Sequence, residues 1–187
     1  MGSLNTFNSI KNISNLIDEN NINVFVETGC YRGNTLSFAL QLGFKKLYSC
    51  DIDLESADYC RNEFSQDARL RIDHKPSNTF LSDLMPELEN EESVLFFLDA
   101  HLPDIETTTD VSLPLEEELD IIWAARSNKK DIIVIDDLRI YEENDYTGGN
   151  WSDRDKYGSP TLDFLSKYGY NVEKFLLEEG YIYLTKN

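Results

Sequence analysis

The stretch NVFVETGCYRGNT, residues 23–35, decides the architecture. Asn23 to Glu27 is a short apolar run, rich in β-branched and aromatic side chains and closed by a carboxylate, so it reads as a buried strand. It passes into Thr28-Gly29-Cys30-Tyr31-Arg32-Gly33, after which Leu36, Ala39, Leu40 and Leu42 recur at helical spacing, with Gly43 where a left-handed cap would close the helix. Strand, glycine-bearing loop and helix form the repeating unit of a parallel α/β sheet.

The same alternation continues outward. Lys46 to Cys50, Leu70 to Asp73, Val94 to Leu98 and Ile132 to Ile135 read as strands. Between them lie helical patterns: Ala57, Cys60 and Phe64; Phe80, Leu81, Leu84 and Leu88; and Leu115, Leu119, Ile122 and Arg126, with Trp123 beside them. Ser159-Pro160 suits the start of a further helix running to Gly169. Val172 to Leu177 and Tyr181 to Thr185, joined by a turn containing Gly180, read as a hairpin. Upstream, Leu4, Phe7, Ile10, Ile13 and Ile17 mark an amphipathic N-terminal helix within residues 1–20. The expectation is one α/β domain over residues 1–187, a doubly wound parallel sheet with helices on both faces and an antiparallel strand added by the hairpin.

The chain carries 35 acidic and 17 basic residues, a formal charge of −18. A surface so negative repels phosphate backbones, which argues against a nucleic-acid partner. No apolar run approaches ~18 residues, so no membrane span is expected. The first residues lack an apolar signal core, and Cys30, Cys50 and Cys60 are odd in number without paired metal spacing. A reduced, cytoplasmic setting is the expectation. The exposed edge of the hairpin leaves a homodimer open.

Ligands of an open α/β sheet bind beyond the carboxyl ends of its strands, where strand order reverses. Acids gather there: Glu27 after the first strand, Asp51 and Asp53 after the second, Asp99 after the fourth, Asp136 and Asp137 after the fifth. Gly29 and Gly33 stand four apart with Tyr31 between them, which is not the G-x-G-x-x-G of a dinucleotide site. Glu27 would oppose a pyrophosphate and welcome an ammonium or sulfonium. Asp51 is placed to accept ribose hydroxyls, and Asp53 to cap the following helix. Ser77 and Asn78 suit either an adenine edge or a helix cap.

ETGCYRGNT, YSCDID, FFLDAH and IVIDD, in this order and spacing, resemble the class I S-adenosylmethionine-dependent methyltransferases, and among them the macrocin-type sugar O-methyltransferases. The resemblance covers residues 22–187 and departs from the family pattern at Tyr31, where a glycine is usual. It implies a Rossmann-like sheet in the order 3-2-1-4-5-7-6 with strand 7 antiparallel. It also implies S-adenosylmethionine at Glu27, Thr28, Gly29, Tyr31, Gly33, Asp51, Ile52, Ser77 and Asp99. Further implied are Mg²⁺ at Asp99, Asp136 and Asp137, with His101 as a base and Asp99 beside it in catalysis.

The chemistry suits those residues: a divalent ion lowers the pKa of a bound alcohol, and an imidazole accepts its proton. The resemblance implies as acceptor a small hydroxylated molecule, such as a sugar or glycan intermediate, and the loops at Leu102–Leu113 and at residues 139–158 are expected to receive it. The latter loop offers Tyr141, Tyr146, Trp151 and Tyr157 as aromatic faces. Two rival readings remain: a nucleotide-dependent oxidoreductase, and a non-catalytic methyltransferase-like module in a glycan-assembly complex.

Overall fold

Residues 24–28, 94–98 and 132–135 form strands buried over their whole length, and alternate residues along them feed two separate cores. The computed structural model describes residues 3–100, 113–152 and 154–186. Its strands are β1 (Val24–Thr28), β2 (Lys46–Asp51), β3 (Leu70–His74), β4 (Val94–Leu98), β5 (Ile132–Ile135), β6 (Asn171–Phe175) and β7 (Tyr181–Thr185). They form one sheet in the order β3-β2-β1-β4-β5-β7-β6. The first five are parallel, and β7 runs antiparallel to both neighbours. This is the expected Rossmann-like arrangement.

The helices are α1 (Leu4–Asn8), α2 (Ile13–Asn20), α3 (Asn34–Ala39), α4 (Leu54–Glu63), α5 (Ser77–Leu84) and α6 (Leu115–Arg126). Phe80, Leu81 and Leu84 of α5 join Leu115, Leu119 and Ile122 of α6 over Val26, Phe96, Leu98 and Ile135. On the opposite face α1 to α4 contribute Phe7, Ile13, Leu36, Ala39, Ala57 and Cys60, which cover Phe25, Phe97 and Val134. Among the described residues, no helix is long and apolar enough to cross a membrane.

Four local expectations are corrected. The N-terminal helix is two helices, because Asn8 Oδ1 accepts the Ile13 amide at 2.9 Å and Asn12 Oδ1 caps α2 through Asn15. These side chains satisfy amides that a continuous helix would bond to its own carbonyls. Gly43 is not left-handed, and α3 ends at Ala39 instead. The expected helix through Leu88 tightens to a 3₁₀ turn over Met85–Leu88, where Pro86 lacks an amide to continue it. Ser159 does not cap an α-helix: it lies at φ 49°, and its hydroxyl donates to Asp155 at 2.9 Å. The segment that forms downstream is 3₁₀, Asp163–Lys167.

Candidate active site

The carboxyl end of β1 is the centre of the site. Its neighbours there are β2 and β4, so the chain's direction of winding reverses across it. Glu27 is 1% exposed, and the pleat sets it opposite Ser49 of β2, whose Oγ donates to Glu27 Oε2 at 2.5 Å. Burial pushes its carboxyl up to about 8; the Ser49 bond opposes that shift, while the negative charge of Asp51 adds to it. Ser49 carries no signal of its own in the sequence, and only strand register pairs it with Glu27.

Asp51 ends β2 and orders the loop. Its Oδ2 accepts the Tyr31 amide at 2.8 Å and its Oδ1 the Asp53 amide at 2.9 Å. Each oxygen keeps a further lone pair for an incoming hydroxyl. Asp53 Oδ2 accepts the Ser56 amide at 2.9 Å, so Asp53 is the cap of α4. Ile52 and Tyr31 stand beside Asp51 with 52% exposure each, offering apolar surface at the mouth of the site. His74 hydrogen-bonds the Ile52 carbonyl at 3.0 Å and holds that turn.

The glycines answer first to the protein itself. Gly29 has φ +84°, and a Cβ there would lie 2.6 Å from the Asp99 carbonyl oxygen. A Cβ on Gly33, at φ +73°, would meet the Phe64 ring at 2.5 Å. The loop therefore closes tightly on β4 and α4. Thr28 belongs to the same closure, with its carbonyl and hydroxyl both accepting the Asp99 amide, at 3.0 and 3.3 Å. Tyr31 takes φ 41°, a conformation that costs an L-residue roughly 1–2 kcal/mol. Its backbone bond to Asp51, and the Cys60 thiol donating to its carbonyl at 3.4 Å, hold it there. Gly29→Ala should lower stability by at least about 2 kcal/mol in urea denaturation, since strain and a backbone clash combine.

Asp99, Asp136 and Asp137 follow β4 and β5. Burial, then the charges of Asp136 and Asp137, push the Asp99 carboxyl well above the carboxylate range, and Glu27 and Glu179 add to it. Asp136 is raised likewise by burial and by the Asp137 charge, against the Asp137 amide that its Oδ1 accepts at 2.8 Å. Glu179, in sequence no more than part of the hairpin turn, is a further acid at this edge. Because β7 is antiparallel, the residue entering it arrives where β5 leaves. The signal lies in the topology: in the order 5-7-6, an acid just before strand 7 falls beside those after strand 5.

The expected three-carboxylate metal set is not assembled. Among the described residues, no three His, Cys, Asp or Glu side chains stand together as ligands. Asp137 occupies a left-handed turn (φ 56°), and its Oδ1 accepts from Arg139 Nε at 3.2 Å. Asp137 thus meets a guanidinium of its own chain where the expectation placed an ion. His101 and the segment 102–112 lie outside the described residues. Ser77 opens α5 after Pro76 and is buried; Asn78 Oδ1 accepts the Thr79 amide at 2.7 Å, and its Nδ2 donates to Glu117 at 3.0 Å.

In the 139–158 segment, Tyr141 and Tyr146 pack into the core, and Tyr141 also borders a cavity. Thr147 and Gly148 donate backbone bonds to Leu176 and Glu178, at 3.2 and 2.8 Å, tying the segment to the hairpin turn. Beyond it a cavity of about 370 Å³ opens between Leu113 and Glu116 on one side and Tyr141, Pro160 and Phe164 on the other. Its walls come from the start of α6 and from the chain that follows β5.

No known family profile matches the chain, and no curated protein sequence matches it. Solved structures do. The SAH-bound methyltransferase PaMTH1 of Podospora anserina aligns at TM-score 0.60 and 16% identity, over 94% of this chain and 76% of that one. The Bacillus cereus O-methyltransferase, solved in complex with SAH, aligns at 0.59 and 12%, over 93% and 79%. The methyltransferase domain of bacterial CtHen1-CN aligns at 0.58 and 13%, over 97% of this chain and 100% of that one. At such identities the likeness is one of fold, and the fold of this chain is the Rossmann-like fold of those methyltransferases.

Proposed function

We propose that the chain binds S-adenosylmethionine at the carboxyl ends of β1 and β2 and transfers its methyl group to an oxygen of a small acceptor. One observation carries the reading. A fully buried carboxyl, Glu27, accepts from the Ser49 hydroxyl at 2.5 Å, and burial, with the Asp51 charge adding to it, pushes its pKa up to about 8. A buried acid bonded to a serine hydroxyl fits a cationic ligand, and a neighbouring acid held by two loop amides fits a ribose.

Bound S-adenosylmethionine supplies a methyl group already made electrophilic by the sulfonium. Glu27 would take the ammonium, with Ser49 fixing its carboxylate, and Asp51 the ribose hydroxyls. Tyr31 and Ile52 give apolar cover at the mouth, and Gly29 and Gly33 keep the loop close to β4 and α4. The acceptor would enter by the cavity bordered by Glu116, Tyr141 and Phe164, whose mixed polar and aromatic walls suit a hydroxylated ring. A sugar or glycan intermediate is the acceptor class proposed, on the resemblance of the strand-end motifs. The solved O-methyltransferase of the same fold is consistent with oxygen as the nucleophile.

Calorimetry with S-adenosylmethionine and with NAD tests the cofactor: binding of the first and not the second is expected, and the reverse overturns the reading. Incubation of isotope-labelled S-adenosylmethionine with a panel of sugars then tests transfer; cofactor binding without any methylated product would favour the non-catalytic reading. Asp51→Asn should weaken the cofactor roughly tenfold to a hundredfold, because an amide NH₂ would face one of the two backbone N–H donors.

A further inference from the structure

The acids after β5 already have a cation. Asp137 turns left-handed immediately after the strand, and its carboxylate meets Arg139 Nε at 3.2 Å. The Nη2 of the same guanidinium lies 3.6 Å from Glu179 Oε1, which reaches the edge from the opposite chain direction. The three side chains are 19%, 6% and 8% exposed for Arg139, Asp137 and Glu179. Two backbone bonds clamp the group: Leu138 donates to the Gly180 carbonyl at 3.0 Å and Arg139 to that of Glu179 at 3.1 Å. Gly180 cannot yield, since a Cβ there would run into the Tyr146 ring.

We propose that Arg139 supplies, from within the chain, the positive charge that the resemblance assigns to a divalent ion, so that this protein recruits no Mg²⁺ through Asp137. Magnesium demands near-octahedral oxygen ligation at short range and gives up its water reluctantly. To take Asp137 it would have to expel the guanidinium and leave that charge close beside the ion. A planar guanidinium fork matches carboxylates without such dehydration. Arg139 is therefore a positioning residue: it fixes Asp137 and Glu179, and through them the exit of β5 against the entry of β7.

The inference concerns the ion alone and is tested on the ligand-free protein, so its failure and that of the methyltransferase reading are distinguishable. Mn²⁺ serves as the probe, with free ion counted by electron paramagnetic resonance. The wild-type chain should bind Mn²⁺ no more tightly than the millimolar range. Arg139→Gln, which removes the guanidinium, should gain about tenfold or more in Mn²⁺ affinity and acquire a rise in Tm on addition of Mg²⁺. Arg139→Lys should remain indifferent to both ions. Micromolar Mn²⁺ binding by the wild type that is lost in Asp137→Asn overturns the proposal, and this comparison decides even if Arg139→Gln fails to fold. An Arg139→Gln protein that folds and gains no affinity overturns it as well.

Discussion

Glu27→Gln should make the ligand-free protein more stable at alkaline pH and at the same time nearly blind to S-adenosylmethionine. The native carboxyl is raised from 4.5 to about 8 by burial, so the folded state holds a proton that the unfolded chain releases from about pH 4.5 upward. Folded-state stability contributed by that proton is complete below pH 4.5 and is lost as pH rises through about 8. The loss amounts to roughly 5 kcal/mol, the order of free energy linked to a shift of that size. Glutamine keeps an acceptor for the Ser49 hydroxyl and has no proton to lose. Thermal melts of the two proteins should therefore coincide near pH 4 and diverge toward pH 9, with the variant higher by roughly 10 °C.

Cofactor affinity should move the other way. Removing one partner of a buried charge pair costs roughly 2–5 kcal/mol, about thirtyfold to several thousandfold in Kd. Binding to the wild type must also expel the Glu27 proton, so affinity should climb about tenfold from pH 6 to pH 7. The variant should show no such climb. Calorimetry in buffers of different ionisation enthalpy would count the released proton directly, and a pH-independent wild-type affinity would sink the assignment of Glu27 to the ammonium.

Arg126→Met should be among the most damaging substitutions outside the candidate site. Arg126 and Asp131 are 1% and 2% exposed and paired through two bonds of 2.6 and 2.7 Å. The guanidinium also donates to the Leu88 and Glu91 carbonyls, and Asp131 accepts the Val94 amide at 2.9 Å. This hub joins the end of α6 to the first residues of β4 and β5, at the edge of the sheet remote from Glu27 and Asp51. Breaking a buried pair by removing one partner costs roughly 3–5 kcal/mol, because the survivor stays buried with its charge. Urea denaturation of Arg126→Met should show that loss. The double variant Arg126→Met with Asp131→Asn should recover more than half of it, since the amide that replaces the carboxylate still accepts from Val94 and carries no charge. Cofactor affinity of the double variant should match the wild type, which separates the stabilising edge of the sheet from the binding edge.

Local pattern alone accounts for part of this molecule. Val24 to Glu27 and Val94 to Leu98 are strands because short apolar runs between polar loops have no other way to bury themselves. The acids after them are named by position alone, since parallel strands all end on one side. Asp53 is legible as a cap because capping involves neighbours in the chain. Whatever depends on partners distant in sequence belongs to the folded sheet instead. Ser49 meets Glu27 only through register. Glu179 joins the acid edge only because β7 runs antiparallel, and Arg139 claims Asp137 only because the turn after β5 is left-handed and clamped to that same entry. Arg126 lies on a helical pattern like any apolar neighbour, yet its burial follows from β4 and β5 closing around it. Ser159 has the sequence of a cap, but its left-handed backbone and its bond to Asp155 turn it to another use. Electrostatic partners and burial are properties of the assembled sheet, so they are written nowhere in the spacing of the chain.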